Sequence, residues 1–143
     1  MFQDNWWAQR LAFSAAAGAW MALIFFLSSL EGPQFDETLK SDPGAWTQGL
    51  PSYLAHAFLY GALAVLVQMA IWGWNPRRQL MWVVAAAVFA AFYGITDEYH
   101  QSFVAGRSAS MSDVVLNSVA ALGAASLHWA WSTRLARPRA SGS

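Results

Sequence analysis

The chain has 143 residues, room for one domain. Apolar residues make up 57% and charged residues 11%, against roughly 45–50% and about 25% in soluble globular chains, so the composition argues against a soluble domain. A net charge of zero without a basic stripe argues against nucleic acid as a partner, and the absence of Cys excludes disulfides and thiolate metal sites.

Four apolar runs follow one another along the chain. Leu11–Leu30 is twenty residues without a charge. It exceeds the roughly 7–15 residues of a signal-peptide core and no A-x-A-like site follows, so it reads as a retained helix. The loop EGPQFDETLKSDPGAWTQGLP comes next. Its Pro33, Pro43 and Pro51 argue against a long helix, and it reads as an irregular flap over one end of a bundle. Tyr53–Trp74 is twenty-two residues in which His56 and tyrosines are the only ionisable groups. The turn WNPRRQ leads to Leu80–Thr96, seventeen residues without a charge, and Val114–Trp131 adds eighteen more. A helix crosses a bilayer with about 20 apolar residues, range about 17–25, so all four qualify. The expected fold is all-α: an antiparallel bundle of four transmembrane helices over about residues 11–30, 53–74, 80–101 and 112–131. Residues 132–143 read as a disordered tail. The fourth run, with Asn117, Ser118, Ser126 and His128, should be the most enclosed, because lipid cannot satisfy such groups.

Four crossings put both termini on one side. Arg10, Arg77, Arg78, Arg134, Arg137 and Arg139 fall on that side, and Lys40 and Arg107 on the other. The excess of Lys and Arg marks the cytoplasmic side, so both termini are expected there. Trp6, Trp7, Trp72, Trp74, Trp82, Trp129 and Trp131 cluster near the same boundary, as interfacial anchors do.

Only sixteen of the residues are acidic or basic, yet GITDEYHQSFVAGRSASMSD, residues 94–113, holds Asp97, Glu98, Arg107 and Asp113 together with His100 and Gln101. His56 and Tyr60 are i, i+4 on the second helix, Asp97 and Gln101 on the third, and Asp113 and Asn117 on the fourth. Glu98 is turned about 100° from Asp97, so the two cannot be a facing pair on one helix. All lie at the outer ends of their helices, which antiparallel packing brings together. Each residue also has an ordinary structural role open to it. Ser110-Met111-Ser112-Asp113 is an [ST]-x-x-[DE] capping pattern. Asp97 and Glu98 could mark where a helix leaves the bilayer, Arg107 could be a loop cation, His56 a buried donor, and Gly106 the turn residue. His128 reads as an interfacial side chain.

The stretch resembles the VanZ-like family of small bacterial membrane proteins. Asp97, Glu98, Gln101, Phe103 and Arg107, then Asp113 and Asn117, match its D-E-x-x-Q-x-F-x-x-x-R and D-x-x-x-N patterns. His56, Phe58 and Tyr60 match its H-x-F-x-Y pattern, and Leu27-Ser28-Ser29 is similar to the family's ending of the first helix. The resemblance covers roughly residues 20–127. The chain departs from it where many members carry Asp-Lys, having Ser52 and Tyr53 instead. The family is named for a member linked to tolerance of glycopeptide antibiotics, which implies a role in the cell envelope and a place in the bacterial inner membrane.

The functional expectation is a lipid-headgroup site built from His56, Tyr60, Asp97, Glu98, Gln101, Arg107, Asp113 and Asn117. Its ligand would be a membrane lipid or lipid-linked envelope precursor, with Arg107 facing a phosphate and the acids orienting it or acting as acid and base. No nucleophile stands out, so a reaction is not assigned. The alternative is a structural or accessory subunit with an envelope protein as partner, whose polar cluster only fixes helix packing. No cofactor is implied. His56, Asp97, Glu98, His100 and Asp113 offer metal-ligand atoms, but with no H-E-x-x-H or similar local spacing no metal is expected. A proton path would need acids at mid-bilayer, where only Gln68 and small polar groups stand.

Overall fold

A computed structural model describes residues 6–30, 50–72, 79–107 and 109–135. The first loop, the WNPRR turn and the end of the tail, with the expectations attached to them, lie outside these. Among the described residues there are four helices: α1 (Trp6–Ser28), α2 (Leu50–Trp72), α3 (Gln79–Gln101) and α4 (Met111–Leu135). All four are long and apolar enough to cross a membrane, and no strand occurs among the described residues. The helices outrun the apolar runs: α1 begins at Trp6, before Arg10, and α4 continues to Leu135, past Arg134. An apolar run marks the hydrocarbon, and a helix need not stop where the hydrocarbon does.

Contacts between helices set the directions. Trp20 Nε1–H donates to the Leu59 carbonyl at 2.8 Å, Tyr60 pairs with Asp97, and the Tyr93 hydroxyl donates to the Met21 carbonyl at 2.7 Å. Gly94 lies against Asn117. Consecutive helices therefore run antiparallel. The end of α1, the start of α2, the end of α3 and the start of α4 meet at one end of the bundle, here called the polar end. Helix α2 is central and packs on the other three, while α1 packs mainly on α2.

The core is built for close helix approach. Ile24, Tyr60, Leu63, Ala64, Val83, Ala90, Ala121 and Ala125 form it. A Cβ at Gly61 would stand 3.2 Å from the Ala124 Cβ, and one at Gly94 would meet Tyr60 Cε1 at 3.3 Å. Small residues at these crossings let backbones approach, which is how helices gain packing energy where lipid removes the hydrophobic drive. Helix α3 shows the resulting pattern. Val83, Ala86, Ala87, Ala90, Asp97, Glu98 and Gln101 form its buried stripe, while Val84, Val88, Phe92, Ile95 and Tyr99 face outward. Apolar side chains outside and charged ones inside is the arrangement a bilayer selects.

Toward the end opposite the polar end, α2 and α4 are also joined by a polar pair. Gln68 is fully buried, and its Oε1 accepts from His128 Nδ1 at 2.9 Å. His128, half-buried, therefore turns toward α2.

Candidate functional site

The polar end gathers His56, Tyr60, Asp97, Glu98, Gln101, Arg107, Asp113 and Asn117, and divides them into two clusters. Asp97 and Glu98 are the reason. Both are buried, and as neighbours on one helix they face different partners.

Asp97 faces α2. Its Oδ2 accepts from the Tyr60 hydroxyl at 2.8 Å and from Gln101 Nε2, one turn on, at 3.0 Å. The Gln101 carbonyl oxygen in turn accepts from Arg107 Nη1 at 3.1 Å. Two further donors of Arg107 reach across to α1: Nε to the Leu30 carbonyl at 3.1 Å and Nη2 to the Leu27 carbonyl at 3.3 Å. The last carbonyls of a helix have no intrahelical partner and carry the negative end of its dipole. The guanidinium meets both requirements. The turn that aims it depends on Gly106, whose φ of 74° suits a residue without a side chain. The space left among Ile24, Ser28, His56, Tyr60, Asp97 and Arg107 is about 10 Å³, at most the room of one water. This cluster has no room for anything larger than a water, although Asp97 Oδ1 is buried without a hydrogen-bond partner.

Glu98 faces α4. One oxygen, Oε2, accepts from the Ser110 backbone N–H at 3.0 Å, the donor that a capping box would have given to Asp113. Ser110 does begin α4, since its carbonyl accepts from the backbone N–H of Asp113 and Val114. With Glu98 in the reciprocal position, the Asp113 carboxylate is left to face inward. His56, Glu98 and Asp113 bring one ligand-type atom each within 4.8 Å of one another. Behind them Asn117, fully buried, takes His56 Nδ1 at 3.2 Å on its Oδ1. The other oxygen of Glu98, Oε1, is buried with no hydrogen-bond partner. Asp113 is half-buried and gives this second cluster its exposed edge.

His100 belongs to neither cluster. Its Nε2 lies 3.1 Å from Ser29 Oγ and its ring stacks on Phe25 at 4.5 Å, so it packs against the end of α1. Phe103 is 72% exposed, with Tyr99 edge-on to it at 5.1 Å, a pair suited to the membrane surface. Two contributions are invisible in a list of reactive side chains: the Leu27 and Leu30 carbonyls and the Ser110 N–H. Counting the orphan backbone groups at helix ends would have pointed to both.

The family model described as VanZ/LLP1 matches residues 13–132. The chain belongs to the VanZ/LLP1 family. The match spans all four helices, so both clusters of the polar end lie within the VanZ/LLP1 region. No curated protein matches the chain, and no solved structure does.

Proposed function

We propose that this VanZ/LLP1 protein sits in the bacterial inner membrane with both termini in the cytoplasm and holds the headgroup of a lipid or lipid-linked envelope precursor at its outer, polar end. The observation that carries the reading is Glu98: like Asp97 it is a buried carboxylate with one oxygen unused, but it is grouped with His56 and the half-buried Asp113. A polar group buried without a partner costs free energy, commonly about 1–3 kcal/mol, and a ligand that donates to it recovers that cost. Sugar hydroxyls and amines are such donors, and His56 and Asp113 can accept or exchange their protons. A groove of about 880 Å³ between α1 and α2, walled by Ala16, Trp20, Leu23, Phe58 and Gly61 among others, begins at Ala57, next to His56 on α2, and suits the lipid's hydrocarbon chain. Arg107, engaged with α1, leaves the headgroup contact to the second cluster.

Sidedness is tested with single cysteines, against which the chain offers no background. Cys at Ser108 should react with a membrane-impermeant thiol reagent on intact spheroplasts, and Cys at Gln79 only after the membrane is opened. The reverse pattern would move the site to the cytoplasm. Ligand binding is tested by mass spectrometry of lipids that stay with the detergent-purified protein. A phosphorylated or sugar-linked lipid should be enriched on the wild type and fall about tenfold or more, roughly 1.4 kcal/mol, on Asp113→Asn. An identical lipid profile for the two proteins would refute headgroup binding and favour the accessory-subunit reading, which the hydrogen-bonded network around Asp97 supports.

A further inference from the structure

We propose that His56, Glu98 and Asp113 form a binding site for one divalent first-row transition cation, with Zn²⁺ as its natural probe. The three side chains come from α2, α3 and α4, so no local spacing announces them, yet one ligand atom of each lies within 4.8 Å of the other two. Among the described residues no hydrogen bond joins any two of the three. They stand close and leave a gap between them. Ligands about 2.1 Å from a shared Zn²⁺ are roughly 3.4 Å apart when tetrahedral, so a small inward movement of the side chains completes the set.

Three features support a site in that gap. His56 Nδ1 lies 3.2 Å from Asn117 Oδ1, the kind of outer hydrogen bond that orients a metal-bound histidine and leaves its other ring nitrogen to ligate. The Ser110 N–H occupies only Glu98 Oε2, and Oε1 stays buried and unpartnered on a residue that is 4% exposed. Asp113, whose capping bond is made by Glu98, supplies a second carboxylate at the half-exposed edge. Buried carboxylates are tolerated when they are paired or bind metal. One imidazole nitrogen with two carboxylate oxygens is a nitrogen–oxygen set suited to zinc and its first-row neighbours; all-oxygen sites are those preferred by Mg²⁺ and Ca²⁺. Three protein ligands also leave a coordination position open. The inference stands on the ligand atoms and does not require the lipid. It does add to the headgroup reading, because two carboxylates alone repel a phosphate, and a cation between them would accept one of its oxygens.

The test uses tag-free protein in detergent, stripped with chelator and titrated with Zn²⁺ by calorimetry. One saturable site per chain is expected, unaffected by excess Mg²⁺. Affinity should fall by about 100-fold or more in His56→Ala, Glu98→Gln and Asp113→Asn, fall roughly 10–100-fold in Asn117→Ala, and stay unchanged in His100→Ala. The absence of a saturable site, or Zn²⁺ binding that survives both His56→Ala and Glu98→Gln, overturns the proposal. Should a variant aggregate, zinc-edge X-ray absorption on the wild type decides. One imidazole with oxygen ligands at about 2.0–2.2 Å supports the site, and a spectrum without imidazole overturns it. Lipid retention measured with and without chelator separates the two readings: Zn²⁺ bound without lipid sinks only the headgroup reading, and lipid retained without any Zn²⁺ site sinks only this one.

Discussion

Arg107→Ala is expected to loosen the fold and lower the amount of protein in the membrane. The guanidinium donates to the carbonyls of Leu27 and Leu30 and to Gln101, tying the end of α1 to the end of α3. Helix α1 has few other polar anchors: Ser29 Oγ meets His100 Nε2 at the same end, and the Trp20–Leu59 and Tyr93–Met21 bonds lie about two turns deeper. Hydrogen bonds from a charged donor contribute about 1.5–3 kcal/mol each. Those of one side chain do not simply add, and Arg107 is half-buried, so water replaces part of what is lost. A net cost of about 3 kcal/mol follows, on the order of 10 °C in melting temperature for a chain of this size. Arg107→Lys should recover only part of it. An ammonium keeps the charge beside the helix end but cannot reach three acceptors in the planar geometry of a guanidinium. Thermal unfolding in detergent, followed with membrane levels by immunoblot, checks this. A normal melting temperature together with lost function would return Arg107 to ligand binding.

That prediction separates Arg107 from the acids, which the sequence presents as one motif. Much of the rest was legible. Runs of bilayer length specified four helices, and alternation of direction placed the ends of α1 and α3 beside the starts of α2 and α4, so the convergence of His56 with Asp97, Glu98 and Asp113 followed from topology. The 100° between Asp97 and Glu98 was legible too. Its consequence was not, because which neighbour each acid meets depends on how far α2 and α4 are rotated about their own axes, and small residues such as Gly61, Gly94 and Ala121 set those rotations through contacts that a sequence does not display. The same gap hid the metal set. Zinc motifs are recognised when two ligands share a helix, and here each ligand comes from a different one. Ser110-Met111-Ser112-Asp113 shows the limit differently: the capping pattern correctly marked where α4 begins, but a tertiary partner, Glu98, took the bond that the local pattern assigns to Asp113.

Glu98→Gln is expected to do the opposite of Arg107→Ala, leaving the fold at least as stable while removing function. The substitution keeps shape and volume. A glutamine can turn its amide oxygen to the Ser110 N–H, preserving the bond that Glu98 Oε2 makes, and its NH₂ then occupies the place of the unpartnered Oε1, where the Asp113 carboxylate can accept from it. What disappears is a negative charge that the protein keeps 4% exposed. Burying a carboxylate without full compensation is expensive, so its neutralisation should leave the melting temperature unchanged or raise it by the equivalent of about 1 kcal/mol. Function should move the other way. With a donor where an acceptor stood, the cluster can neither take a proton from a hydroxyl-bearing headgroup nor ligate a cation, and lipid retention should drop tenfold or more. A stable protein with an empty site is the signature of a residue kept for function at a cost in stability. Were the variant to unfold at a much lower temperature with its lipid retention intact, Glu98 would be one more strut between α3 and α4. The second cluster would then join the first as architecture.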